Sequence, residues 1–151
     1  WVRRNGEEVH LKPKDYPSFW ISDEHGLLNR YFEGDPYLLW INGKYCYYLI
    51  SYNDPVRLNE KGEFTIIGES GSGYGSNYQS SSFPSMHWSI GIDGPIKEIK
   101  DKDFLVELEK YKLGKKYERK KPKRELIMSA VEYGVKKHKV YVEFIELLNQ
   151  Q

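Results

Sequence analysis

His87 is the residue best placed by its neighbours to move a proton. In Met86-His87-Trp88-Ser89-Ile90-Gly91-Ile92, strand alternation puts His87, Ser89 and Gly91 on one side and Trp88, Ile90 and Ile92 on the other. The apolar side suits burial. The other side, with only Ser and Gly beside the imidazole, is expected to leave room for a ligand. An imidazole open to solvent titrates near neutral pH and can serve as a general acid. Ahead of it, Glu69-Ser-Gly-Ser-Gly-Tyr74-Gly-Ser-Asn-Tyr78 is a small-residue loop that carries two phenols.

The second chemistry is charge. The net charge is only +1, yet residues 110–151 hold twelve Lys and Arg against five Asp and Glu. Most of the excess lies in Lys110–Arg124, where Tyr111 and Tyr117 interleave the cations. Such a run suits a phosphate backbone gripped without reading bases, and Lys115, Lys116, Arg119, Lys120, Lys121 and Arg124 are its candidate contacts. The plainer reading is a solvated helix face followed by a basic turn.

Other chemistries find little support. A single cysteine, Cys46, excludes an internal disulfide and a cysteine-based zinc cluster. The acidic pairs Glu7-Glu8 and Asp101/Asp103 lack partners at metal-ligand spacing, and His10 and His25 stand alone, so neither a metal nor a cofactor is expected. No apolar run approaches the roughly 20 residues of a membrane helix, and no secretory pattern opens the chain. The expected location is the cytoplasm, or the nucleus in a eukaryote. With 39% hydrophobic and 30% charged residues in 151, the chain reads as one folded domain or two small lobes.

The elements that must position these residues begin with two hairpins, each with Asn-Gly at the tip. One spans Trp1–Leu11 around Asn5-Gly6, and the other spans Tyr37–Ile50 around Asn42-Gly43. Between them, Ser22 is expected to cap a helical stretch through Leu27, Leu28 and Tyr31. Val56–Lys61 reads as a helical turn ended by Gly62, and Glu63–Gly68 as a strand. Asp93-Gly94-Pro95 is a turn. Asp101 or Asp103 is expected to cap a helix whose apolar stripe is Phe104, Leu105, Leu108, Tyr111 and Leu113. Glu125–Val131 then reads as a buried strand and Tyr133–Lys139 as a turn. Val140–Leu148 alternates as a last strand, although a helix also fits it.

Taken in order, Tyr74-Gly75-Ser76-Asn77-Tyr78, Pro84 and His87 at a strand start are similar to the core motif of the tRNA splicing endonucleases. Downstream, a helix, then Lys123-Arg124 before the apolar Leu126-Ile127-Met128, a turn and a last strand also resemble that family's catalytic domain. Upstream, Tyr52-Asn-Asp54 through Gly62, and Ser70-Gly71, match its helix and the strand leading into the motif. The resemblance covers residues 52–151. It implies an α+β chain: a small N-terminal α+β lobe over residues 1–52, then a catalytic-type α/β domain over 53–151 built on a central mixed sheet.

The implied activity is metal-independent cleavage of precursor tRNA at bulge-helix-bulge junctions, leaving 2′,3′-cyclic phosphate and 5′-hydroxyl ends. Such cleavage needs a base, an acid and a cation on the phosphate. In the family these are a tyrosine, a histidine and a lysine. His87 falls on the histidine, and Lys123 or its neighbour Arg124 on the lysine. Ser81 stands where the catalytic tyrosine would, which leaves Tyr78 as the nearest phenol. Two readings follow within the family: a catalytic subunit using Tyr78, His87 and Lys123, or a structural partner of a homologous catalytic subunit in a homo- or hetero-oligomer. The departure at Ser81 favours the structural partner. Outside the family, a non-enzymatic nucleic-acid-binding or protein-interaction module fits the same basic segment, and the Val140–Leu148 edge would then pair with another chain.

Overall fold

The computed structural model describes residues 2–10, 18–22, 27–50, 56–58, 64–66, 83–125 and 129–151. Its centre is a six-stranded sheet built from β3 (Ser18–Ser22), β4 (Leu28–Phe32), β5 (Asp35–Ile41), β6 (Tyr45–Ile50), β9 (Ser85–Ile90) and β10 (Lys97–Glu98). Two small antiparallel hairpins stand beside it in the chain order. They are β1 (Val2–Arg4) with β2 (Glu7–Val9), and β7 (Val56–Leu58) with β8 (Phe64–Ile66). The strand order is β10-β9-β6-β5-β4-β3 and every pairing is antiparallel. The α+β class is therefore right, but the expected mixed sheet is not. Parallel pairs need long crossovers; every pair here except β6–β9 instead joins strands consecutive in sequence, and that one, with β7 and β8 between, is antiparallel too. The sheet also runs across the expected boundary at 52/53, because β6 pairs with β9 from Tyr45↔Ile90 to Ile50↔Ser85.

Turn chemistry explains the hairpins. Asn5 (φ 52°) and Gly6 (φ 84°) occupy the left-handed positions that join β1 to β2, as expected of Asn-Gly. The β4–β5 turn uses Glu33 (φ 50°) and Gly34 (φ 88°) in the same way. This is where a helix capped by Ser22 was expected. Leu28 and Tyr31 instead lie in β4, and Phe19 of β3 stacks on Tyr31 at 5.0 Å. Val56–Leu58 is likewise strand and not helix, pairing with Phe64–Ile66, where a strand was expected.

β6, Tyr-Cys-Tyr-Tyr-Leu-Ile, is buried at every position because both faces of the sheet are covered. Tyr45, Tyr47 and Leu49 join Trp88 under the helices, with Phe104, Leu108, Tyr117, Phe144, Ile145 and Leu148. Cys46, Tyr48 and Ile50 face the other way, with Tyr37 and Ile96.

Three helices supply the cover: α1 (Asp101–Lys110), α2 (Gly114–Lys120) and α3 (Ala130–Asn149). In α1, Phe104 and Leu108 are buried, as the apolar stripe predicts. Neither Asp101 nor Asp103 is its N-cap; Lys100 holds that place without a side-chain bond, and both carboxylates sit in the first turn. The largest departure is α3. Ser129 caps it by accepting the Glu132 amide at 3.1 Å, and the helix then runs without a break through the segments expected to be turn and last strand. Tyr141, Phe144, Ile145 and Leu148 form its buried face. Helix also occupies Ala130 and Val131, the end of the expected 125–131 strand; Leu126–Met128 lie outside the described residues.

Candidate nucleic-acid interface

α1 ends in a tight reversal. Lys112 adopts φ 62°, its amide bonds the Glu109 carbonyl, and the Leu113 amide bonds the Leu108 carbonyl at 2.8 Å. This is the double hydrogen bond with which helices often stop. It holds a lysine where glycine is usual, which brings Lys112 to the surface beside the start of α2.

α2 buries Gly114 and Tyr117 and exposes Lys115, Lys116, Glu118, Arg119 and Lys120. Two lysines and no carboxylate in the first turn run against the helix dipole, whereas Arg119 and Lys120 in the last turn favour it. The charge thus follows the surface and not the helix. The chain continues through Lys121 to the exposed Lys123 and Arg124. A groove of about 990 Å³ is lined by Leu105, Glu109, Lys112, Lys115, Glu118 and Arg119. A cleft of about 310 Å³ follows, among Lys121, Lys123, Arg124, Glu125 and Tyr133. Arg124 lies over the Tyr133 ring at 4.9 Å, so one phenol face is already paired with a guanidinium.

The expected contacts fall into two groups. Lys115, Lys116, Arg119 and Arg124, together with Lys112 and Lys123, have no carboxylate within ion-pair distance among the described residues. Lys120 pairs with Glu143, and Lys121 lies 3.0 Å from Asp101 Oδ2, whose hydrogen bond raises the ammonium's pKa. Both partners of the Lys120 pair are about half exposed, so that contact is worth a few tenths of a kcal/mol and leaves the ammonium available. Lys112 was not singled out from the sequence. Its left-handed turn, which brings it to the groove, has no sequence signal when the residue is lysine.

His87 is placed differently from expectation. It is 7% exposed, and its face of the sheet is not open. Tyr37 packs edge-on against the imidazole at 5.0 Å, and Tyr48 and Glu98 are its cross-strand neighbours. Aromatic side chains from adjoining strands fill the space that Ser89 leaves free. Burial lowers the imidazole pKa, against the opposing pull of the Ser85 backbone and the Glu98 and Asp35 carboxylates. Nδ1 has no hydrogen bond of good geometry.

His87 and the cations at 123–124 are not brought together. His87 shares the face of Tyr37 and Tyr48, away from the helices, while Arg124 lies on Tyr133 of α3 in the helical layer. The sheet separates them. Tyr78 and Ser81, with the whole Tyr74–Tyr78 motif, lie outside the described residues. Among the described residues no cluster of three or more His, Cys, Asp or Glu is arranged to hold a metal ion. No helix there is long and apolar enough to cross a membrane. No family model, curated protein or solved structure matches the chain.

Proposed function

We propose that the chain is a non-catalytic RNA-binding module that grips the phosphate backbone along α2 and the segment ending at Arg124. The observation that carries this reading is the row of exposed cations without a carboxylate in ion-pair distance among the described residues: Lys112, Lys115, Arg119, Lys123 and Arg124 along one groove and its neighbouring cleft, with the exposed Lys116 on the same helix. Within that row, Lys120 pairs with Glu143 of α3 and Lys121 with Asp101 of α1, which anchors the middle of the basic surface to the other two helices. Phosphate contacts of this kind position a nucleic acid without reading its sequence. The Tyr133 ring beside Arg124 adds a stacking surface for an unpaired base.

A narrower proposal lies within this one: a structural partner in a tRNA splicing endonuclease, the role the resemblance implies for a chain without its tyrosine. The catalytic alternative is not carried further, because the acid and the cation it needs occupy opposite faces of the sheet. The test is binding of the purified chain to labelled single-stranded, duplex and bulge-helix-bulge RNAs across 50–300 mM salt, with end-group analysis in chelator. A steep fall of affinity with salt is expected, without cleavage. Affinity insensitive to salt sinks the module. Equal affinity for bulged and plain duplex removes only the endonuclease partner, and cyclic-phosphate ends would restore catalysis.

A further inference from the structure

β10 is only two residues long, and Pro95, which has no amide hydrogen to donate, stands just ahead of it. Beyond Trp88, β9 runs on through Ser89 and Ile90 without an outer strand among the described residues. The gap left against α1 is a cavity of about 310 Å³, and it shares no residue with the basic groove or its neighbouring cleft.

Its walls are apolar. Trp88 stacks on Tyr45 at 6.1 Å and stands edge-on to Phe104 at 6.4 Å, so the core sets the position of its indole. Ile90 follows on the same face of β9, Val106 comes from α1, and Pro95 closes the turn side. Ile90 and Val106 are 54% and 51% exposed, more than any other large apolar side chain described. Apolar surface brought by two elements to one concavity is the usual ground of a ligand site.

Charge selects the occupant. Glu107, on the α1 wall, is already engaged, with Lys110 2.6 Å from Oε1 and the Tyr45 hydroxyl donating to Oε2 at 3.4 Å. Glu98 stands opposite His87 in register, which assigns its side chain to the other face of the sheet. Lys97 stands opposite Trp88, on the cavity's own face, and Asp103 lies one helical turn before Val106 and Glu107. Neither Lys97 nor Asp103 makes an ion pair among the described residues, and the two lie beyond ion-pair distance of each other. One ammonium and one carboxylate thus line the same small cavity without bridging it.

We propose that this cavity binds a free α-amino acid with an aromatic or branched apolar side chain. Its ammonium meets Asp103, its carboxylate meets Lys97, and its side chain lies on Trp88, Ile90, Pro95 and Val106. A zwitterion answers both charges, whereas an amine or an acid alone leaves one of them idle. The site is separate from the basic groove and does not depend on the RNA-binding reading.

The experiment uses L-phenylalanine as probe, read by NMR at the Ile90 and Val106 methyls and the Trp88 indole N–H. Phenethylamine and 3-phenylpropionate each keep one charge, and N-acetyl-phenylalaninamide keeps neither. Phenylalanine is expected to shift all three signals saturably, and each of the other compounds to bind about tenfold more weakly, the order of one charge-assisted contact. Asp103→Asn is expected to bring phenylalanine down to the level of phenylpropionate, and Lys97→Met down to that of phenethylamine. Val106→Trp, at an exposed helix position, fills the cavity without touching either charge and is expected to abolish every shift. No saturable shift at these residues with the unmodified chain overturns the site, as do shifts that survive Val106→Trp. Equal binding by either singly charged compound overturns the zwitterion, and equal binding by the amide means that the cavity takes a side chain of another protein instead.

Discussion

The Lys137 ammonium, 5% exposed in the middle of α3, ends 2.5 Å from Oδ1 of Asp101, the first residue of α1. The same oxygen accepts the hydroxyls of Tyr117 from α2 at 2.6 Å and Tyr141 from α3 at 2.7 Å, and Lys121 reaches Oδ2. One carboxylate therefore ties all three helices. Burial pushes its pKa up, but the four donors together hold it well below the usual carboxylate range.

Asp101→Ala leaves Lys137 buried without a counter-charge. The expected loss is about 2–3 kcal/mol, below the range for a fully buried pair because Asp101 itself is 37% exposed. Denaturant unfolding measures it. The double variant with Lys137→Met is expected to recover much of the loss, since the stranded charge goes with the lysine; a double variant as unstable as the sum of the singles would show the two groups to be independent.

Acid should weaken the fold before the carboxylates titrate. Burial pushes His138 down to about 4, and Nδ1 of the neutral ring shares a hydrogen bond with the Tyr47 hydroxyl, 2.9 Å away. Its folded value lies below the ordinary 6.5, so the unfolded chain binds the extra proton. The stability it contributes is complete above pH 6.5 and drains away down to about pH 4, by about 3 kcal/mol if the full shift is expressed. The buried His87 acts in the same direction. Asp101 adds its own loss only below its ordinary value of 3.8. Melting temperatures between pH 7 and 4 should fall, and the fall should flatten in His138→Gln. A curve level down to pH 4.5 would contradict this assignment.

Gly134 sits where α3 crosses the start of β9. A methyl group there would lie 2.1 Å from Phe83 Cβ and 2.5 Å from its Cγ. Gly134→Ala gains roughly 1 kcal/mol of helix propensity, yet the clash is expected to cost about 1–3 kcal/mol by overpacking. A net destabilisation in thermal unfolding is the expected result, and a stabilised variant would mean that α3 can slide away from Phe83.

In the basic groove, Lys115→Glu with Arg119→Glu is expected to flatten the salt dependence of RNA affinity. Each lost phosphate contact lowers the log–log slope by about 0.9 on duplex. The change should be similar for all sequences, because these residues are argued to touch phosphates. Unchanged slopes would move the RNA elsewhere on the molecule.

The sequence made the hairpins legible where their turns carried Asn-Gly, and α1 where apolar residues recur every three or four positions. The Glu33-Gly34 turn was missed because Glu is a poor advertisement for a positive φ. α3 was missed for a more instructive reason. Its buried face includes Gly134, Lys137 and His138, all of which read as solvent or turn, and the burial of Lys137 depends on Asp101, thirty-six residues away, together with the Tyr117 and Tyr141 hydroxyls. The Ser129-x-x-Glu132 spacing was a local helix-start signal that outweighed the Val140–Phe144 alternation. For the site, the cations were legible as a run, but the burial of His87 was not. It depends on Tyr37 and Tyr48 from strands whose register no single segment encodes.

The one break in an otherwise sequential strand order, between β6 and β9, has a kinetic consequence. β3 through β6 can zip as successive hairpins, each closing a few residues, but joining β6 to β9 must close the chain between Ile50 and Ser85. Loop-closure entropy grows with that span, so this contact, more than the hairpins, is expected to limit the folding rate. Weakening Tyr48 against His87 should slow refolding, whereas equal damage at β3–β4 should mainly hasten unfolding.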